Sequence, residues 1–133
     1  RGPMRTSLRH TTALALRAAV PMWAGAAGND DVMSQLARNA GCLTCHQIEP
    51  GGKGPEGLPP IGPAWKEVST KYKGQKGAQK QLTATVMAGS NPYESHWKGK
   101  VSGLAMPPNK VAITEADAGK LVGWILKLEA RKP

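Results

Sequence analysis

The sequence predicts an all-α domain with long loops, and three observations lead to that fold class. Apolar residues recur at the i, i+3, i+4 spacing of helices, and no stretch alternates apolar and polar residues for long. Gly or Pro occupies ten of the fourteen positions from Pro50 to Pro63, which excludes a continuous helix or strand there. The 133 residues include no Phe and only 5% aromatic residues, so a single core lacks large apolar groups. A buried cofactor would supply them.

The first predicted helix starts at an N-cap, Asn29 or Asp30, and carries apolar residues as far as Ala40. Gly41 follows this apolar stripe. A glycine in that position serves either as the helix C-cap or as a point where another backbone comes close. We therefore expect the helix to end at Gly41.

Three more helices are predicted downstream. Residues 64–72 form a short helix after the Gly/Pro loop, and residues 77–87 form another that ends at Gly89. The last helix begins at Thr114, whose hydroxyl fits an N-cap, and its apolar residues face the core. Trp124 lies beside that apolar face and is interpreted as a core aromatic residue.

The first 26 residues differ from the rest in composition. They contain four Arg, no acid, an apolar run and then the small residues Ala24-Gly25-Ala26, an order typical of a secretory signal peptide. The run is shorter than the roughly 20 apolar residues that span a bilayer. The sequence therefore predicts a signal peptide over residues 1–26 and one exported, periplasmic domain over 27–133. A disordered or amphipathic N-terminal arm is the alternative.

The segment Cys42-Leu43-Thr44-Cys45-His46 is the C-x-x-C-H attachment sequence of c-type haem. Each thiol adds across a vinyl group of the porphyrin, and His46 is placed to bind the iron as proximal ligand. A thioredoxin-like redox pair needs a βαβ setting, which the surrounding sequence lacks. A zinc site needs four ligands, and no second cluster of Cys and His accompanies the first. The motif predicts one covalent haem c with its iron.

Met106 is the predicted sixth ligand of that iron. It stands in the loop sequence Ala105-Met106-Pro107-Pro108, where two prolines restrict the backbone, and a thioether ligand raises the reduction potential. Two alternatives stay open. Met106 could fill core space, which is how we interpret Met87 in its helical stripe. His96 would give bis-histidine coordination, although its polar, Lys-rich surroundings are typical of a surface residue.

With these motifs the chain resembles class I monohaem cytochromes c, in particular the small bacterial periplasmic type that donates electrons to nitrite reductases and terminal oxidases. The resemblance covers about Asp30 to Leu128. It rests on the haem attachment sequence and on Gly62-Pro63-Ala64-Trp65-Lys66-Glu67-Val68, Tyr72-Lys73-Gly74-Gln75, Ala88-Gly89-Ser90, Met106-Pro107-Pro108-Asn109 and Leu121-Val122-Gly123-Trp124-Ile125-Leu126.

The resemblance implies the cytochrome c fold, with about four to five short helices wrapped around one covalent haem. It also implies three roles in haem binding. The carbonyl of Pro63 holds the proximal imidazole, Met106 is the distal ligand, and Trp97 hydrogen-bonds a haem propionate. Two intervals are longer here than in the family: the one from Trp97 to Met106 and the Gly/Pro loop before Pro63.

These features predict a soluble electron-transfer protein rather than an enzyme, since two axial ligands from the protein leave no open iron site for a substrate. One alternative is a haem c subunit stably docked on a dehydrogenase, such as a sulfite-oxidising enzyme. Another is an open-site haem sensor or peroxidase, which requires Met106 to be off the iron.

The formal net charge is +9, and four of the positive charges are Arg residues of the leader. Lysines supply most of the rest, on segments that should surround the haem edge: Lys66, Lys71, Lys73, Lys76, Lys80, Lys98, Lys100 and Lys110. A basic rim predicts redox partners with acidic docking surfaces, such as a reductase, an oxidase or a dehydrogenase. We expect a monomer that binds no nucleic acid, because no recognition motif accompanies the charge, and that has no stable membrane insertion.

Overall fold

The computed structural model describes Gly2 and residues 24–128, with side chains from position 28 onward. The predicted signal peptide, residues 1–26, lies outside the described residues except for Gly2 and residues 24–26. Four α-helices follow in chain order: α1 Ala24–Asn39, α2 Trp65–Tyr72, α3 Ala78–Ala88 and α4 Glu115–Ile125. Within this described part, extended pairing is limited to an isolated bridge between Lys98 and Val101. No described helix has the length and apolar character that a membrane crossing requires. The all-α fold class is confirmed.

Helix α1 begins earlier than the sequence predicts. Because it starts at Ala24, the prediction of an N-cap at Asn29 or Asp30 is wrong, and both residues lie inside the helix. The preceding alanine-rich segment explains the difference, since alanine is the strongest helix former and extends the helix backwards. The Asp30 carboxylate instead accepts a hydrogen bond from Trp124 Nε1 at 2.7 Å. That bond joins α1 to α4.

Gly41 ends α1 as a C-cap, as predicted. Its φ of 76° lies in the left-handed region, and its N–H donates to the Arg38 carbonyl at 3.0 Å. A Cβ at Gly41 would meet no atom within 4 Å. Glycine is therefore required here by the left-handed backbone conformation and not by the close approach of another backbone.

Helix α4 forms the centre of the core. Thr114 is its N-cap, because its hydroxyl oxygen accepts from the Asp117 N–H at 3.2 Å, which confirms the predicted start. The helix packs on α1, α2 and α3. Its residues in the buried apolar cluster are Ala118, Leu121, Trp124 and Ile125, and Leu128 is buried just beyond its end. Met33 and Ala37 of α1, and Ala40 just after it, belong to the same buried cluster. Trp124 meets Trp65 edge-on, with ring centroids 5.9 Å apart, so it is the core aromatic residue that was predicted.

Helix α2 is held at both ends. Its first N–H groups donate to the segment that follows the cysteine motif, Trp65 to the Gln47 carbonyl at 2.8 Å and Lys66 to the Ile48 carbonyl at 3.1 Å. Farther along, the buried Ser69 hydroxyl donates to the Leu126 carbonyl beyond α4 at 3.0 Å. These bonds satisfy backbone groups that a short helix leaves unpaired, and they fix α2 beside the cysteine motif.

The Gly/Pro-rich segment from Pro50 to Pro63 is a loop, as predicted. Its one helical turn is the short 3₁₀ piece Pro55–Gly57, and Glu56 within it has a φ of 56°. A second 3₁₀ turn, Cys42–Thr44, follows α1 directly. The candidate ligands therefore lie in loops, His46 just after the second 3₁₀ turn and Met106 between α3 and α4.

Candidate functional site

The two cysteines and His46 share one tight turn. The Cys42 carbonyl accepts from the Cys45 N–H at 3.3 Å and from the His46 N–H at 3.1 Å. Both thiols are free and half-buried. Burial raises the pKa of the Cys42 thiol, which keeps it protonated at neutral pH. The turn therefore presents two unpaired thiols and an imidazole from adjacent positions.

The His46 imidazole is held by the carbonyl of Pro63. Its Nδ1 lies 2.8 Å from that oxygen, and because a carbonyl only accepts, Nδ1 carries the proton and donates. Burial lowers the pKa of His46, and the hydrogen bond to Pro63 opposes this only in part. The ring is therefore neutral, with its Nε2 lone pair available to a metal ion.

Two neighbours fix the plane of the imidazole. The indole of Trp65 stacks on it, with ring centroids 5.9 Å apart and planes inclined by 28°. Gly62 is buried beside it, and a Cβ there would lie 2.8 Å from His46 Cε1 and 2.9 Å from Nδ1. The Gly62 N–H also donates to the Cys45 carbonyl at 2.8 Å. Gly62 was not predicted to be a site residue, although its position directly before Pro63 is a sequence signal that could have identified it.

Met106 is half-buried and is held at its backbone by one residue. The Met106 N–H donates to Ser90 Oγ at 2.8 Å, and the Met106 carbonyl accepts from the Ser90 N–H at 2.9 Å. Gly89 allows this approach, since a Cβ there would come 2.9 Å from the Met106 carbonyl oxygen. The loop carrying Met106 is thereby attached to the C-terminal end of α3.

Asn109 adds a second attachment of the same loop. Its backbone N–H donates to the Val86 carbonyl at 3.0 Å, and its side-chain amide donates to the Pro107 carbonyl at 2.7 Å. The roles of Ser90 and Asn109 in holding Met106 were not predicted. Sixteen residues separate Ser90 from Met106, and no periodicity in a sequence links positions that far apart in loops.

The other two predicted candidates lie elsewhere. His96 is exposed and makes an edge-on contact with Tyr72, with ring centroids 6.4 Å apart. Trp97 is half-buried and lines a cavity of about 210 Å³ together with Gln47, Glu49, Gly52, Pro60, Glu67 and Lys100. The Lys100 ammonium lies 5.9 Å from the centroid of the Trp97 ring.

The donor set fits a covalently attached haem. Two free thiols, an imidazole with one nitrogen available and a thioether are the groups that anchor and ligate haem c. Among the described residues, no three His, Cys, Asp or Glu side chains gather as a metal-ion cluster would. These side chains therefore suit the attachment of a porphyrin, and the iron would be part of that porphyrin.

Comparison with known proteins leads to the same family. The family model for cytochrome c matches residues 34–129. The chain is similar to cytochrome c-551 of Allochromatium vinosum, with 39% identity over 93 residues that cover 70% of this chain and 82% of that protein. It is also similar to cytochrome c2 of Rhodocyclus tenuis, with 38% identity over 72% of this chain and 91% of that protein.

The fold comparison agrees. The crystal structure of wild-type Nitrosomonas europaea cytochrome c552 matches with a TM-score of 0.56 and 33% identity, over 71% of this chain and 98% of that one. The motif, the helical fold and these relatives all indicate one family. The chain therefore belongs to the cytochrome c family, as a small class I monohaem electron-transfer protein whose family carries one covalent haem c.

Proposed function

We propose that this protein is an exported, periplasmic, monomeric electron carrier whose haem iron is bound by His46 and Met106. The observation that carries the proposal is the 2.8 Å hydrogen bond between His46 Nδ1 and the Pro63 carbonyl. It assigns the ring proton to Nδ1 and leaves Nε2 as the one ligating nitrogen.

Each residue of the site has a distinct task in this proposal. The thiols of Cys42 and Cys45 attach the porphyrin through thioether bonds and fix its orientation to His46. The carbonyl of Pro63 orients the proximal imidazole and increases its basicity. Met106 supplies the distal thioether, and Ser90 holds its backbone from both sides. The bound haem supplies a one-electron Fe(II)/Fe(III) couple.

With protein ligands on both sides, the iron would have no position for a substrate. The reaction is then outer-sphere electron transfer, and the protein transforms no molecule. A thioether is a soft, neutral ligand, and it stabilises ferrous relative to ferric iron more than an imidazole does. His46 and Met106 together therefore favour a higher reduction potential than two imidazoles would.

Charge supports a partner with an acidic docking surface. The segment from Ser95 to Thr114, which contains Met106, has three lysines and no acid. Leu104, two residues before Met106, is 85% exposed. A basic surface with an apolar centre steers an acidic redox protein into a fast, salt-sensitive encounter over a small interface.

Trp97 completes the proposed haem site as a donor to a propionate. Its support is chemical, since an indole N–H only donates and a propionate only accepts. Trp97→Phe removes the donor and keeps the ring, and its effect is measured as the shift in reduction potential of the holoprotein. A potential identical to the wild type would remove Trp97 from the site.

The test of the axial ligands is a ferric-state near-infrared spectrum of the mature holoprotein. We expect the weak sulfur-to-iron band in the wild type and its loss in Met106→Ala. Met87→Ala is the matched control, because Met87 packs against the core from α3 and should keep the band. Persistence of the band in Met106→Ala would contradict the proposal.

Two further measurements separate the alternatives. Carbon monoxide binding to the reduced wild type at neutral pH would indicate an open iron site, and hence a sensor or peroxidase. Elution of the native protein in a stable complex during size exclusion would indicate a docked subunit. The proposal predicts no carbon monoxide adduct and elution as a monomer.

A further inference from the structure

The two loops that are longer than in the family lie against each other. The Ser102 N–H donates to the Pro60 carbonyl at 3.0 Å, and the Gly103 N–H donates to the Ile61 carbonyl at 3.0 Å. We call this pair of hydrogen bonds, formed by Pro60 and Ile61 with Ser102 and Gly103, the loop ladder. It joins the Gly/Pro loop to the loop that leads to Met106.

The loop ladder requires a glycine at position 103 because of space. A Cβ there would lie 2.5 Å from the Ile61 carbonyl oxygen and 3.2 Å from Ile61 Cγ2. The φ of Gly103 lies outside the left-handed range, so an L-residue could adopt its backbone conformation. Gly99 is the opposite case, with a φ of 80° and open space around the Cβ position.

Each end of the loop ladder continues into the support of one proposed iron ligand. Ile61 is followed by Gly62 and Pro63, which bind the Cys45 carbonyl and the His46 ring. Gly103 stands three residues before Met106, whose backbone N–H and carbonyl are both bonded to Ser90. The proximal and distal supports are therefore connected through two backbone hydrogen bonds, outside the helical core.

We propose that Gly103 is a positioning residue for Met106, and that the loop ladder holds the thioether on the iron. This inference rests on the His46–Met106 coordination proposed above. Without the loop ladder, the loop would be attached to α3 and its C-terminal end only at Met106 itself, by Ser90, and downstream of it, by Asn109, and the residues that lead to Met106 would be free. Ordering the free upstream part would then oppose formation of the iron–sulfur bond, because loop closure costs entropy.

The experiment compares Gly103→Ala with Ser102→Ala in the mature holoprotein. Gly103→Ala places a methyl group against the Ile61 carbonyl and separates the two loops. Ser102→Ala is the matched control, because it keeps the backbone N–H in the ladder and removes only a hydroxyl 3.5 Å from the Pro60 oxygen. The readouts are the near-infrared sulfur-to-iron band during heating and amide hydrogen exchange at positions 102 and 103.

We expect the band of Gly103→Ala to disappear at a lower temperature than the helical circular dichroism signal, while Ser102→Ala follows the wild type. Amide exchange at positions 102 and 103 should be roughly tenfold faster in Gly103→Ala, as for loss of one backbone hydrogen bond. A Gly103→Ala band as persistent as that of the wild type would overturn the inference and leave the coordination intact. A wild type without the band would overturn both.

If the Gly103→Ala protein fails to mature, a measurement on the wild type alone still tests the inference. If the loop ladder exists in solution, the amides of Ser102 and Gly103 exchange much more slowly than that of an exposed loop residue such as Val111, which is 93% exposed. Exchange at the same rate as Val111 would overturn the inference without any variant.

Discussion

At the scale of single residues, the space around His46 decides how the imidazole is presented. The ring packs against the Trp65 indole and close to Gly62, with Nδ1 bonded to the Pro63 carbonyl. A side chain at position 62 would take up the volume that the ring occupies. The proposed proximal ligand is therefore positioned as much by a missing Cβ as by a hydrogen bond.

Gly62→Ala tests this arrangement. The added methyl group must displace His46 or the loop, and overpacking of this kind costs about 1–3 kcal/mol of unfolding free energy. We expect a lower free energy of unfolding in denaturant titration, together with a changed absorption spectrum of the holoprotein.

Gly28→Ala is the control for that variant. Gly28 lies in α1 with no atom within 4 Å of a Cβ position, so alanine should stabilise the helix by about 0.5–1 kcal/mol. An equal response of the two variants would show that the space beside His46 has no special role.

At the scale of secondary structure elements, the short helices depend on their end groups. Helix α2 has eight residues, and Glu67 Oε2 accepts from the Ala64 N–H at its start at 3.2 Å. Helix α4 begins with the Thr114 cap. Isolated helices of this length are marginal in water, so capping and packing together maintain them.

Thr114→Ala should lower the free energy of unfolding by about 1 kcal/mol, because the Asp117 N–H loses its acceptor. Thr70→Ala is the matched control. The Thr70 hydroxyl is exposed and bonds the Lys66 carbonyl within α2, so its loss should leave stability unchanged or slightly raised. Comparable losses in both variants would contradict the capping role, as measured by thermal and chemical unfolding.

Asp117 lies at the same end of α4, and its carboxyl makes the stability of the protein depend on pH. A hydrogen bond from Lys120, at 3.0 Å, is the main cause that lowers the pKa of the Asp117 carboxyl, and the Thr114 hydroxyl adds to it. A carboxyl with a lowered folded-state pKa stabilises the protein above its unfolded-state pKa, and that stabilisation is lost as the pH falls through the folded-state value.

Asp117→Asn should therefore be less stable than the wild type at neutral pH and equally stable in acid. The difference is small, since the side chain is exposed and solvent screens the pair. The measurement is the difference in unfolding free energy as a function of pH. A difference that persists at acid pH would assign the effect to lost packing and not to charge.

At the scale of the whole molecule, the positive charge determines which reactants approach. The exposed lysines Lys98, Lys100 and Lys110 lie on the loop that carries Met106 or close beside it in sequence. Lys66, by contrast, is paired with Glu49 at 2.7 Å. Unpaired surface charges act through long-range steering, which salt weakens over a Debye length of about 8 Å at physiological ionic strength.

Two small oxidants, one anionic and one cationic, test whether the electrostatic field around the protein is positive. Oxidation of the reduced holoprotein by the hexacyanoferrate(III) anion should slow as ionic strength rises, while oxidation by a cationic cobalt(III) complex should accelerate. Stopped-flow measurement gives both slopes. Two slopes of equal sign would contradict electrostatic steering.

Two double variants, each of which removes two positive charges, then show which lysines cause the electrostatic steering. Neutralising Lys98 and Lys100 to Gln should reduce the anion slope more than neutralising Lys120 and Lys127, which lie on α4 or just after it. Equal reductions would mean that only the total charge matters.

Much of this molecule could be predicted from local sequence patterns. The C-x-x-C-H motif, the helix over 64–72, the Gly89 end of α3 and the Thr114 cap all depend on neighbours within a few positions. Such features are set by backbone geometry, which sequence spacing records directly. The start of α1 was the exception, because helix propensity extended the helix past a residue that would otherwise cap it.

The sequence by itself determined the family, the attachment residues and the type of fold, since these follow from short motifs and helical periodicity. Only the tertiary structure decided what holds the proposed iron ligands in place. Ser90 bonds Met106, Gly62 borders His46 and Gly103 meets Ile61 across separations that no period spans. Contacts between loops depend on where the packed helices place their ends, so they exist only once the whole chain has folded.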